Sequence, residues 1–209
     1  MRKTLILAGL FATAPLIAQS TPQVPGAADP ARITGGTYAT DPSHTLIEFE
    51  VDHFGFSDYF GIFGDATGTL MLDPKKPANA KVDITIPVAK VTTASARLTD
   101  HLLRAGKDGG KPDFFGPNPA DAHFVSTSVV VKGTTAKITG NLTLNGITAP
   151  VVLDTEFKGA GINPYSKKET VGFEAETTIK RSTFGIKTGI PFVSDEVELE
   201  ISVPFEKVG

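Results

Sequence analysis

The sequence predicts an all-β protein, an antiparallel barrel or sandwich of about eight strands, on three observations. From residue 44 onward, apolar and polar residues alternate in segment after segment, which is the pattern of strands with one buried face. Turn residues separate these segments, and Asn145-Gly146 is a strong hairpin signal. Only residues 93–103 have helical spacing, with Leu98 and Leu102 four residues apart. We therefore expect one short helix attached to a sheet that buries a single face.

The strands can be followed in order along the chain. In the first, Ile47, Phe49 and Val51 alternate with acidic residues, and in the next, residues 55–72, glycines recur as bends in a barrel require. Alternation resumes before the helix, and a long irregular loop follows it near residues 104–121. The other predicted strands cover residues 82–88, 124–131, 136–144, 149–157, 171–179 and 197–205.

Residues 1–20 have the composition of a secretory signal peptide. Arg2 and Lys3 precede an uncharged run rich in Leu, Ile and Ala, and small residues at Ala18 and Ser20 form a cleavage site. The alternative is a retained N-terminal anchor, which the shortness of the run and the helix-breaking Pro15 disfavour. We therefore expect the mature chain to be exported.

Two further units follow the signal peptide. Residues 21–36 combine proline, glycine and small residues without apolar periodicity, which predicts a flexible leader. Residues 37–209 contain evenly spread apolar segments and are numerous enough to bury a core. We expect them to form a single domain.

The composition disfavours several classes of function. With 20 Lys and Arg against 23 Asp and Glu the net charge is −3, and removal of Arg2 and Lys3 would make it −5, so nucleic acid is an unfavourable partner. The chain has no cysteine, which excludes thiol nucleophiles, Cys-ligated zinc or iron–sulfur sites and disulfides. Stability must therefore come from packing.

The apolar faces of the strands predict the interior of a barrel. An eight-stranded barrel has room either for filling side chains or for one small ligand, and the alternation leaves both open. If a channel exists, its contents should be apolar and long or flat, because few polar groups face it. The expected lining consists of Phe49, Val51, Ile84, Ile86, Leu142, Leu144, Phe173, Ile179, Leu199 and Ile201.

Four other side chains are candidates for contact with a head group or for the mouth of the channel. Arg181 and His53 continue the apolar parity of their strands, where a charged or polar group needs a partner. That partner is either the polar head of an amphiphile or the protein itself, through backbone carbonyls or Asp195 for Arg181, and we favour the protein. Phe114 and Phe115, in the long loop, are candidates for a plug or a gate.

No pattern predicts a metal site or a catalytic centre. The four histidines, at positions 44, 53, 101 and 123, are widely spaced, and parity places His44 and His53 on opposite faces. The nucleophile motif G-x-S-x-G is absent, and the scattered carboxylates lie mostly on solvated faces. We expect no catalytic residue, no metal and no cofactor.

Four segments in order resemble a known family. They are residues 41–44 with 49–55, Asp100-His101-Leu102 with Asp113-Phe114-Phe115, residues 140–148, and residues 180–185 with 195–197. Together they resemble the YceI-like family, lipocalin-like polyisoprenoid-binding proteins of the bacterial periplasm. The resemblance implies an extended eight-stranded antiparallel barrel with a long internal channel for a polyisoprenoid chain, and frequent pairing into homodimers.

The function predicted from residues and resemblance is therefore binding, sequestration or transport of a polyisoprenoid or similar long isoprenoid lipid in the periplasm, for example a prenyl diphosphate or a quinone. The expected partner is this lipid, with no covalent chemistry. Two alternatives are an enzyme that acts on isoprenoid lipids through His53 and Arg181, and a stress-response interaction module whose barrel is solid.

Overall fold

The computed structural model describes residues 23–208, so the predicted signal peptide lies outside the described residues. No helix within residues 23–208 is long and apolar enough to span a membrane. The elements are β1 (Gly36–Thr40), β2 (Leu46–His53), β3 (Ser57–Phe63), β4 (Thr67–Leu72), β5 (Lys81–Ile86), β6 (Thr92–Thr93), α1 (Ala96–Leu103), β7 (Ala122–Lys132), β8 (Thr135–Leu144), β9 (Ile147–Ile162), β10 (Glu169–Lys180) and β11 (Glu196–Lys207).

These strands form the predicted eight-stranded antiparallel barrel. β1 and β2 pair with successive parts of β11 and so act as one bent strand. On the other side, β4 pairs with β1 and β3 pairs with β2, so β3 and β4 act as the second barrel strand. β5 and β6 form the third barrel strand, and β7 to β11 follow as a meander. The pairing of β1 with β11 closes the ring. Closure leaves fewer free strand edges, which is how a barrel avoids edge-to-edge association.

Two inward-facing glycines let large rings lie flat across the barrel wall. Gly61 pairs with Phe49, and a Cβ on Gly61 would lie 2.3 Å from the Phe49 ring. Gly140 has the same relation to Phe124, also at 2.3 Å. The high glycine content noted in the sequence thus has a packing reason in these strands.

The helix α1 and the loop after it cover one end of the barrel. The helix begins after Ser95, within the segment with helical spacing, because Thr93 at the start of that segment pairs with β3. Arg104 at the end of α1 donates to Asp113 at 2.7 Å, and the Phe115 amide donates to the Leu102 carbonyl at 3.0 Å. The long irregular loop is therefore tied back to its own helix.

The segment predicted to be a flexible leader contacts the barrel at several of its described residues. Ala27 exchanges two backbone hydrogen bonds with Ala160, where β9 extends beyond the end of β8. Gly161 permits this approach, because a Cβ there would lie 2.2 Å from the Pro25 carbonyl oxygen. Ile33 then packs against the core. Composition did not reveal this docking, because the partners are more than a hundred residues away.

The buried side chains form two clusters. One surrounds Tyr38, Val171 and Phe205 at the end of the barrel where the leader lies. The other surrounds Val88, Phe124 and Phe184 toward the end covered by α1. The space between these clusters determines where the interior stays unfilled.

Candidate functional site

The barrel encloses an elongated cavity of about 310 Å³. Its walls come from the inner faces of strands all around the barrel, and nearly all the lining groups are aliphatic or aromatic. Apolar pockets of this size class are typical of small-molecule sites. The solid-barrel alternative considered from the sequence does not match this interior.

Eight of the ten side chains predicted to line a channel do line this cavity, namely Ile84, Ile86, Leu142, Leu144, Phe173, Ile179, Leu199 and Ile201. Phe49 and Val51 do not belong to the lining. The Phe49 ring instead lies over Gly61 and 5.6 Å from the ring of Phe63, which does line the cavity. Contact of any of these residues with a ligand stays a prediction.

The two ends of the cavity differ. At one end, which we call the mouth, the lining includes exposed loop residues, among them Pro30, Pro74 and Thr134, so the cavity reaches the surface there. At the other end the last lining residues include Val88, which is fully buried. Phe184 packs in the same cluster, so we call this the closed end.

Arg181 organises the closed end. β10 stops at Lys180, and Arg181 begins a short 3-10 turn instead of continuing the strand as predicted. Its side chain is only 5 % exposed. The guanidinium donates to four backbone carbonyls, those of Ser194 at 2.7 Å, Thr188 at 2.8 Å, Val193 at 2.9 Å and Ile186 at 3.4 Å.

These acceptors belong to the loop between β10 and β11, so Arg181 fastens that loop across the barrel end. Burial lowers the pKa of Arg181, and the charge of Asp195 opposes this shift. Asp195 does not contact the guanidinium directly; it accepts from the Ser182 amide at 2.8 Å and the Ser182 hydroxyl at 2.7 Å. Arg181 is also absent from the cavity lining. The geometry therefore favours the structural role of Arg181 over contact with a head group.

The remaining candidates also lie outside the cavity lining. His53 is exposed at the tip of the β2–β3 hairpin, with its ring 4.5 Å from that of Phe54. Phe114 packs edge-on against His101 at 5.3 Å. Phe115 packs edge-on against Phe63 at 5.8 Å, so it lies directly behind the cavity wall, and its role as a plug or a gate stays a prediction. The structure brings none of these side chains together with Arg181 as a reactive pair.

A polar cluster at the mouth was not predicted from the sequence. The Tyr38 hydroxyl donates to Glu169 at 2.6 Å, and the Thr34 amide donates to the same carboxylate at 2.9 Å. Burial, and then the hydrogen bond with Glu169, raises the pKa of Tyr38 to about 12. For Glu169, burial acts to raise the pKa, but the bonds from Thr34 and Tyr38 and the charge of Lys207 lower it overall. This cluster fastens the leader to β10.

One polar atom on the inner wall has no partner. The Thr155 hydroxyl is buried and makes no hydrogen bond among the described residues. Thr155 pairs with Ala136 and Ala175 on the neighbouring strands, and all three line the cavity. The alternation along the strand could have placed Thr155 on the inner face. It could not have shown that the hydroxyl lacks a hydrogen-bond partner. Across residues 23–208 no group of three His, Asp or Glu is arranged to hold a metal ion.

The chain is similar to several known proteins. The profile of the YceI-like domain matches residues 38–205. Protein YceI of Shigella flexneri is 42% identical over 161 residues, covering 77% of this chain and 80% of that protein. Among solved structures, BcnA of Burkholderia cenocepacia is similar with a TM-score of 0.66 and 25% identity, over 79% of this chain and 98% of that one.

A further structure, a polyisoprenoid binding domain from Saccharophagus degradans, is similar in fold, with a TM-score of 0.52 and 14% identity over 82% of this chain and 98% of that chain. The domain match covers most of the sequence and includes every strand of the barrel except the ends of β1 and β11. The order of motifs, the closed barrel and these similarities agree. The chain belongs to the YceI-like family.

Proposed function

We propose that the protein binds a polyisoprenoid or similar long isoprenoid lipid and holds its tail in the barrel cavity, for sequestration or transport. The observation that carries this proposal is the cavity itself, which is elongated, apolar and open to the surface at the mouth. The structural neighbour described as polyisoprenoid-binding supports the same class of ligand through its fold alone.

The energetics favour a long tail as the bound group. Burial of apolar groups from water contributes about 0.8 kcal/mol per CH2, so each five-carbon isoprene unit contributes on the order of 4 kcal/mol before association costs. The cavity wall offers almost no hydrogen bonds, so an enclosed polar head group would lose its hydration without replacement. The head group is therefore expected to stay at the mouth.

We further propose that the protein acts in the periplasm and forms homodimers. The periplasmic location rests on the signal-peptide composition of residues 1–20. The homodimer rests on the family resemblance. The proposed role involves no covalent chemistry. It is supported by the positions of His53, Phe114 and Arg181, which all lie outside the cavity lining.

Native mass spectrometry of protein purified without detergent tests the proposal. We expect an adduct with the mass of one isoprenoid lipid, identified by lipid extraction, or stoichiometric uptake when an octaprenyl lipid is added. Protein that carries no isoprenoid lipid and takes up none would contradict the proposal. Turnover of the added lipid would contradict the absence of covalent chemistry.

A further inference from the structure

The loops around the mouth are rich in basic residues. We define the mouth face as residues 23–36, 73–81, 131–135, 162–169 and 206–208, which the strand order places at one end of the barrel. This face contains eight basic residues and four acidic ones, in a chain whose net charge is −3. The basic residues are Arg32, Lys75, Lys76, Lys81, Lys132, Lys167, Lys168 and Lys207.

Most of these cations are not neutralised within the protein. Arg32, Lys168 and Lys207 have carboxylate partners within ion-pair distance. The other five lysines have none among residues 23–208. Three of them adjoin the cavity opening: Lys75 and Lys76 lie between the lining residues Pro74 and Pro77, and Lys132 precedes the lining residue Gly133.

The outer wall of the barrel has the opposite charge. β2, β10 and β11 lie side by side in the order β10–β11–β2, and their outward positions are acidic. These positions are Glu48, Glu50, Glu174, Glu176, Glu198 and Glu200. The molecule therefore has a negative side and a positive mouth. Such a distribution orients a protein toward an anionic surface and presents the mouth first.

Apolar side chains are exposed on the same face. Tyr165, in the loop between β9 and β10, is 92% exposed and adjoins Ser166, Lys167 and Lys168. Ile162 and Val208 are also more than half exposed. Tyrosine, aliphatic side chains and lysine together are the residues that settle at the interface of a bilayer, where the rings and stems enter the head-group region.

We propose that the mouth face docks on an anionic lipid bilayer. Unpaired lysines surround an apolar opening, and the exposed apolar side chains are scattered over the face. A fluid surface of anionic head groups can adapt to this arrangement better than the fixed surface of an acidic protein can. The inference rests on the proposed function in one respect, that a carrier of an isoprenoid tail must meet a membrane. Docking places the cavity opening against the bilayer, so a tail passes from one apolar medium to another without crossing water.

Flotation with lipid vesicles tests the docking directly. The probes are vesicles of phosphatidylcholine alone and of equal parts phosphatidylcholine and phosphatidylglycerol, both free of isoprenoid lipid, so docking and lipid binding are measured separately. We compare the wild-type protein with the triple variant K75Q/K76Q/K132Q. The matched control K107Q/K111Q/K187Q removes three exposed lysines away from the mouth face. It is prepared with the same N-terminus as the mouth variant and has the same net charge.

The wild type should bind only the anionic vesicles and should dissociate as salt shortens the Debye length from about 10 Å toward 3 Å. The mouth variant should bind roughly 100-fold more weakly, at about fivefold for each lysine lost, and the control should bind like the wild type. Absence of wild-type binding would overturn the proposal and leave the basic face to an acidic protein. An equal loss in both variants would overturn it too, because net charge alone would then explain binding.

A second measurement fixes the orientation. The chain has no cysteine, so Thr134→Cys at the mouth and Thr183→Cys at the closed end each give one site for an environment-sensitive fluorophore. Addition of anionic vesicles should shift the emission of the Thr134 label to the blue and leave that of the Thr183 label unchanged. The reverse pattern, or equal shifts, would overturn the docking of this face even if the protein binds vesicles.

Discussion

The two ends of the barrel are fastened by different kinds of contact. At the closed end, Arg181 donates to carbonyls that all lie within the next 13 residues of the chain. At the mouth, Glu169 holds Thr34 and Tyr38, which are more than 130 residues away, and the leader adds a short bridge to β9. The Arg181 network is thus local in the chain, and the loop that it fastens also bonds to residues 52–54 of the β2–β3 hairpin. The mouth depends instead on the leader, whose contacts can separate one by one.

This difference has a functional consequence. A local network of buried hydrogen bonds opens only when several bonds break together, so the closed end is suited to stay shut. The hydrogen bonds of the leader to Glu169 are nearer to solvent than those of Arg181, and its residues Pro30 and Ile33 line the cavity. A lipid tail should therefore enter and leave at the mouth, past the leader.

The largest expected effect comes from removal of the arginine. Arg181→Leu leaves buried carbonyls without donors, so we expect the free energy of unfolding to fall by about 3–5 kcal/mol in urea titrations. The matched control is Arg32→Leu at the mouth, whose side chain is exposed and donates to one carbonyl, and which should change the free energy by less than about 1 kcal/mol. A stable Arg181→Leu variant that no longer retains lipid would instead make Arg181 a ligand-contacting residue.

An intermediate effect is expected at the leader. Gly161→Ala places a Cβ where the Pro25 carbonyl lies, so the leader must move and its two bonds with Ala160 should break. Loss of these bonds costs about 2 kcal/mol, partly offset by the lower backbone entropy of alanine in the unfolded chain. Hydrogen exchange at the Ala27 amide should become at least about tenfold faster.

Gly172→Ala is the control for this change, because the nearest atom to the added Cβ would be a carbonyl oxygen 3.8 Å away. Its Ala27 amide should exchange as in the wild type. Unchanged protection of Ala27 in Gly161→Ala would show that the leader does not depend on the close approach at this glycine.

The smallest effect is the response to acid. The pKa of Glu169 in the folded protein is below its ordinary value of 4.5, so its contribution to stability is complete above that value and is lost as the pH falls through the lower folded pKa. Proteolysis within residues 23–33 should therefore accelerate as the pH falls below 4.5. Glu169→Gln should be cut faster than the wild type at neutral pH and should show little further change in acid.

Acid affects the closed end less. The pKa of Asp195 is also lowered, first by the Ser182 hydroxyl, so this carboxylate too loses its contribution in acid. The bonds from Arg181 to carbonyls involve no group that gains a proton in this range. If the loop of residues 181–195 became susceptible to protease before the leader did, the contrast between the two ends would be wrong.

The sequence predicted the wall of the barrel well, because the wall depends on alternation. Inward parity placed Ile84, Leu142 and Ile201 at the cavity, and the Asn145-Gly146 turn lies where the hairpin signal put it, with φ of 51° and 75°. Arg181 was recognised as an exception on an apolar face, and its carbonyl partners were among the alternatives. These features involve only residues that are close in sequence or share a strand.

The mouth could not be predicted in the same way. Its structure rests on contacts between distant segments, such as Tyr38 with Glu169 and Ala27 with Ala160, and alternation carries no information about which distant residues meet. Composition alone indicated that the leader was flexible. The contribution of Pro30 and Pro74 to the lining likewise depends on how the loops fold over the opening.

The central claim is that the cavity, and not the surface, holds the lipid tail. Ala175→Phe tests it most directly, because Ala175 lines the cavity while the next residue, Glu176, is exposed on the outer wall and provides the control Glu176→Phe. Octaprenyl lipid uptake is measured by native mass spectrometry on both variants after circular dichroism has verified folding. We expect Ala175→Phe to lose uptake and Glu176→Phe to keep it; uptake by a folded Ala175→Phe at the wild-type level would contradict the claim.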